Sequence, residues 1–181
     1  RAGQAVQTAP AGRQFMQGGT DMEKNITIRP ERVSDYQQVE DIIRQAFYNL
    51  YTPGCTEHYL AHAIRPHPDF LPELDLVYTK STLVDEAGKE KGILTFGPVC
   101  IRPGLQRRGY GRLLMEESFR RASAMGYEAI VIFGDPNNYV GRGFQSCKKH
   151  RVHLEDGTYP AAMLVKELEP GTLAGKSWIY R

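Results

Sequence analysis

The residues best suited to chemistry stand together in Gln106-Arg107-Arg108-Gly109-Tyr110-Gly111-Arg112, where an apolar run gives way to a helical one. The unpaired N–H groups and positive dipole end of a helix start attract a phosphate or pyrophosphate. Gly109 and Gly111 leave no Cβ in an anion's path. Arg107, Arg108 and Arg112 add charge, and a guanidinium holds phosphate through two N–H donors at once. Two familiar phosphate loops do not fit. A Walker loop needs lysine and then serine or threonine after its second glycine, but Gly109 is followed by Tyr110 and Gly111. A dinucleotide fingerprint needs a glycine three residues beyond Gly111, where Leu114 stands. An ordinary basic turn before a helix is the plainer reading of the same residues.

What remains, Gln106-x-x-Gly109-x-Gly111, resembles the pyrophosphate loop of the GNAT family of N-acetyltransferases, which cradles coenzyme A between a strand and a helix. Further on, Tyr139-Val140-Gly141-Arg142-Gly143-Phe144 resembles that family's Tyr-x-x-x-Gly-Phe signature, whose tyrosine commonly lies near the acetyl-CoA sulfur. The preceding Gly134-Asp135-Pro136-Asn137-Asn138 is similar to a loop of predicted bacterial members. The resemblance spans most of residues 26–168. It departs from the pattern at Arg142, where a large apolar residue is usual. It departs again near residue 77, where a β-hairpin is shortened or missing.

The resemblance implies an α/β (α+β) fold, with a mixed, mostly antiparallel sheet flanked by helices. It implies acetyl-CoA as co-substrate, no metal, and acetyl transfer to a primary amine by direct attack. In that pattern the backbone N–H groups of Val99, Cys100 and Ile101 hold the thioester. Gln106, Arg107, Arg108, Gly109, Tyr110, Gly111, Arg112 and Asn138 bind the coenzyme, and Tyr139 is the general acid. Many members also carry a glutamate base on the central strand. Residues 94–98 offer no carboxylate, so Asp135, His58, Glu73 or a water chain are the candidates. The implied partner is a small-molecule or peptide amine, with no nucleic acid and no membrane, and with room for a homodimer. Two other readings stay open: a coenzyme-binding module without turnover, and a protein-binding module whose basic loop meets an acidic partner.

Plainer readings are preferred for three other features. Cys100 sits in an apolar run with no histidine at hand, which suits core packing better than nucleophilic attack. His58 and His62 are spaced i, i+4, but no third ligand is placed by spacing and Pro66 and Pro68 interrupt the segment around His67. The arginine cluster lacks the interleaved aromatics of an RNA-binding face, so the coenzyme's phosphates suit it better.

Elements must position these residues. Residues 26–29 alternate as a strand, and Ser34-x-x-Gln37 reads as a capping box for a helix with Val39, Ile42, Ile43, Ala46, Phe47 and Leu50 at helical spacing. A shorter helix is expected over 57–65, ended by Pro66. Extended segments are expected at 76–80 and 81–84, with a turn at 86–89 and a central strand over 92–101. A helix bearing Leu114, Met115, Phe119, Ala122 and Met125 should stop at Gly126. A buried strand follows at 129–133, and weaker strands near 144–153 and 162–168.

Composition sets the frame. At 181 residues and 41% hydrophobic the chain suits one globular domain, and no apolar run approaches the length of a membrane span. Lysine and arginine number 23 against 21 acidic residues, too small an excess to point to nucleic acid. Three widely spaced cysteines form neither a disulfide framework nor a metal pair, and a cytoplasmic setting is expected. Residues 1–21 show no apolar periodicity and read as a flexible leader or an added tail. The acetyltransferase domain is expected over 22–181, with Met22 as its start.

Overall fold

The computed structural model describes residues 7–8, 26–51, 53–73 and 78–181. Strand β1, Gln7–Thr8, runs antiparallel to β2, Ile26–Thr27, in a small two-stranded sheet. The rest of the expected leader lies outside the described residues.

Helix α1, Tyr36–Phe47, buries Val39, Ile42 and Ile43, the stripe its spacing predicts. Its start differs from the expected Ser34–Gln37 box. A 3-10 turn at Val33–Asp35 precedes it, and the Asp35 carboxylate accepts from the Arg32 amide at 2.7 Å and from the Arg29 guanidinium at 2.6 Å. Carboxylate beats hydroxyl here because it satisfies a backbone donor and an arginine together. Helix α2, Glu57–Ile64, packs on α1. Arg65 clamps the two helices, bonding Glu31 at 2.9 Å and Glu40, and lying 3.7 Å above the Tyr36 ring.

Next come β3, Tyr78–Asp85, and β4, Glu90–Phe96, an antiparallel hairpin whose turn is held by Asp85 accepting from Ala87 and Lys89. The two extended segments expected around residue 80 are thus one strand. No named strand lies between α2 and β3 among the described residues. The first half of β3 meets residues 69–71 instead, through a Phe70–Thr79 bridge and a 3.1 Å bond from the Leu71 amide to Tyr78.

The central strand stops at Phe96, short of the expected 101. Pro98, after a cis peptide bond, has no N–H to continue a ladder, and residues 97–101 leave the sheet. Helix α3, Tyr110–Ala124, then crosses to β5, Ala129–Phe133, which pairs parallel with β4 through Leu94 and Ile130. Gly126 ends this helix as expected, at φ +88° with its amide on the Ser123 carbonyl. A short helix α4, Pro136–Tyr139, leads through a 3-10 turn at Val140–Arg142 into β6, Gln145–Ser146. The weak strand expected over 144–153 is broken by a 3-10 turn at Cys147–His150, leaving β6 and β7, Val152–His153, on opposite edges of the sheet. β8, Met163–Glu167, and an unforeseen β9, Trp178–Tyr180, complete it.

The main sheet has seven strands in the order β6-β8-β5-β4-β3-β9-β7, parallel only at β4–β5 and β7–β9. The mixed, mostly antiparallel α/β architecture is the expected one. Alternating residues of β4 and β5 serve two cores, which explains their near-continuous apolar sequence. Leu94, Ile130 and Ile132 pack with α3, while Ile93, Ala129 and Val131 join Trp178 on the other face. Cys55, Cys100 and Cys147 are free thiols. No helix among the described residues is long and apolar enough to cross a membrane.

Candidate active-site cleft

The loop before α3 is turned by left-handed backbone at Gly104, Arg107 and Gly109. Gly109, at φ +86°, is the helix N-cap, a conformation that costs glycine least. No side chain caps this helix start, so its first amides stay available to a ligand. The Gln106 amide donates to the Ile101 carbonyl at 3.1 Å and ties the loop to the segment leaving β4. In that segment the N–H groups of Val99, Cys100 and Ile101 make no hydrogen bond among the described residues.

Across from this loop, Asp135 caps α4 by accepting from the Asn137 amide at 2.9 Å, with Pro136 in the first turn. The cap sets the position of Tyr139, whose ring meets Phe96 at 6.1 Å and Phe144 at 5.8 Å, both edge-on. Gly134 lies directly against that ring: a Cβ there would fall 2.6 Å from Tyr139 Cε2. Burial pushes the Tyr139 phenol above its ordinary pKa, and the nearby Tyr51 phenol adds to the shift. Tyr139 therefore holds its proton throughout the physiological range.

One cleft of about 330 Å³ joins these walls. Of the residues expected from sequence, Val99, Cys100, Ile101, Gln106, Arg107, Gly109, Gly111, Arg112, Asn138 and Tyr139 line it. Arg108 and Tyr110 do not. Cys100 is buried and its thiol is pushed up to about 12, so it packs rather than reacts. The candidate bases are not brought to the cleft: Asp135 is spent on its cap, and neither His58 nor Glu73 is in the lining. Among the described residues no three His, Cys, Asp or Glu side chains are grouped to hold a metal ion.

Sequence reasoning places the acceptor pocket only broadly, over residues 47–74; the structure narrows it to a wall at the end of α1 and just after it, formed by Ala46, Phe47, Leu50 and Tyr51. Leu50 and Tyr51 are large hydrophobic groups left 58% and 63% exposed beyond the helix end, which only the structure shows. Arg142, noted only as a departure, also lines the cleft, and its Nε is buried with no hydrogen-bond partner.

Solved structures share this architecture. A GNAT family N-acetyltransferase from Escherichia coli in complex with CoA matches at TM-score 0.66 and 19% identity, over 85% of this chain and 89% of that one. A GNAT family acetyltransferase from Brucella melitensis in complex with acetyl-CoA matches at TM-score 0.58 and 22% identity, over 84% and 94%. The fold is that of the GNAT N-acetyltransferases. A third GNAT structure, from Staphylococcus aureus, matches at TM-score 0.51 with 9% identity, over 77% and 97%. The GNAT architecture is thus reached from a sequence that no family model and no curated protein matches.

Proposed function

We propose that this chain transfers an acetyl group from acetyl-CoA to a primary amine by direct attack, with Tyr139 as the proton donor. One observation carries the reading: an uncapped, arginine-flanked helix start and a half-buried, protonated tyrosine line the same cleft. Acetyl-CoA would supply an activated thioester. The first amides of α3, with Arg107 and Arg112, bind its diphosphate, and the loop's Arg108 and Tyr110 support them. The N–H groups of Val99, Cys100 and Ile101 orient the carbonyl end, beside the Asn138 amide. Tyr139 Oη holds the proton that the departing sulfur needs as the C–N bond forms and the C–S bond breaks. Among the described residues the cleft lining holds no carboxylate or imidazole, and in this reading the attacking amine gives its proton to water.

That no base is found among the described lining residues favours a second reading, a coenzyme-binding module without turnover. Calorimetry with acetyl-CoA and a thiol-release assay over a panel of primary amines separate the two. Micromolar binding with amine-dependent thiol release is expected. Binding without release for any amine gives the second reading, and no binding defeats both.

A further inference from the structure

Arg142 is a cation in search of an anion. It lines the cleft, its Nε is buried and unpartnered, and it forms no ion pair among the described residues. Its carbonyl accepts from Lys166 Nζ at 3.1 Å. Leaving such a group uncompensated is costly, and a ligand's negative charge would remove the cost. Among the described residues, those lining the cleft include Arg107, Arg112 and Arg142 but no aspartate or glutamate. That lining repels a polyamine acceptor and favours one with a negative group.

The three arginines divide by position. Arg107 and Arg112 belong to the loop and first turn of α3, where a diphosphate would sit, and Arg112 already has Glu116 at 3.3 Å. Arg142 follows Tyr139 by three residues through a 3-10 turn, whose i and i+3 side chains share a face. Both residues line the cleft, and Arg142 is assigned here to the phenol's end of it. Facing that end, Phe47, Leu50 and Tyr51 form an apolar wall.

Building on the acetyl-transfer reading, we propose that the acceptor is an amine that also carries a carboxylate and an apolar side chain. Arg142 pairs the carboxylate, and Phe47, Leu50 and Tyr51 take the apolar part. A planar guanidinium matches a carboxylate through two parallel N–H bonds, which fixes the amine's position as well as its charge.

Two matched pairs test this: L-phenylalanine against 2-phenylethylamine, and L-leucine against 3-methylbutylamine. In each pair only the carboxylate differs. Binding to the full chain saturated with CoA is measured by calorimetry, and kcat/KM by thiol release with acetyl-CoA. The carboxylate member of each pair should be preferred by about 10- to 100-fold, the range of a charge-assisted pair. Arg142→Met should bring each pair to within about twofold, and Arg142→Lys should restore part of the preference, while acetyl-CoA affinity stays within about twofold. The proposal is overturned if the intact chain shows no preference, including no binding of either member. It is overturned equally if Arg142→Met weakens acetyl-CoA and leaves the ratios alone, which would give Arg142 to a coenzyme phosphate. The intact chain's ratios decide the matter even if both variants misfold. Absence of acetyl-CoA binding defeats the acetyl-transfer reading itself; absence of preference with thiol still released defeats this inference alone.

Discussion

The two walls of the cleft are built on opposite principles. At the α3 side, Gln106, Arg107 and Gly109 are exposed, and a side-chain bond from Gln106 ties the loop to the segment after β4. At the α4 side, Tyr139 is wedged among Phe96, Phe144 and Gly134 with its hydroxyl group raised in pKa. An open cationic wall suits a large charged group that must enter and leave. A packed aromatic wall suits a single atom whose position must not vary, since small displacements at a reacting centre cost rate heavily. Binding and chemistry should therefore fail separately when the two walls are changed.

The largest effect is expected at Gly111. A Cβ there would lie 3.7 Å from Ile101 Cγ1, an ordinary contact, so Gly111→Asp should fold. Its carboxylate would oppose the diphosphate at the helix start, and acetyl-CoA affinity should fall by at least about 100-fold. Unchanged affinity by calorimetry would remove the loop from the coenzyme site. Tyr139→Phe tests the other wall: the ring's packing stays and the proton donor goes. Turnover should drop on the order of 100-fold with acetyl-CoA affinity nearly constant. A fully active variant would strip Tyr139 of its chemical role. Gly134→Ala reaches the same wall indirectly. The added methyl would fall 2.6 Å from Tyr139 Cε2, so the ring must shift, lowering turnover by about tenfold and stability by about 1–3 kcal/mol. Turnover at the normal level in a destabilised Gly134→Ala variant would mean that the phenol's seat against Gly134 does not matter.

The contrast between the walls also explains what the sequence could reveal. The α3 wall is one contiguous segment, and its glycines and arginines are informative in linear order. α1, α3 and β5 were legible for a similar reason: their buried stripes are periodic, as at Leu114, Met115, Ser118, Phe119 and Ala122. The Tyr139 wall draws on Phe96, Phe119 and Phe144, from β4, α3 and the residue before β6, and no local pattern says that these rings meet. β9 was invisible for the same reason. Its three residues pair with Leu83–Asp85 of β3 across most of the chain, too short to show alternation. The break of the central strand at Phe96 was readable from Pro98 but was hidden by the apolar run that continues through Ile101. Arg142 stood out only against the family pattern, and its place in the cleft is seen only in the structure.

The smallest expected effect is on alkaline stability, and it tests whether the aromatic wall is closed. Burial raises the Tyr139 pKa above its ordinary value, whereas in the unfolded chain the phenol titrates near about 10. As pH rises past that point the unfolded chain loses this proton first. The unfolded state then binds fewer protons than the folded one, so stability falls with rising pH until the folded phenol titrates as well. Below about pH 9 the group adds nothing to the pH dependence. Tyr139→Phe has no proton to lose at this position, so the difference between the two chains reports this phenol. Urea unfolding in steps from about pH 7 to about pH 11 should therefore show two parallel curves up to about pH 9. Beyond it the unsubstituted chain should lose ground, by at most about 1.4 kcal/mol per pH unit. Curves that stay parallel to the end of the alkaline range would mean that the phenol ionises as freely in the folded chain as in the unfolded one. The wall would then be open to water, and the separation of binding from chemistry would lose its physical basis.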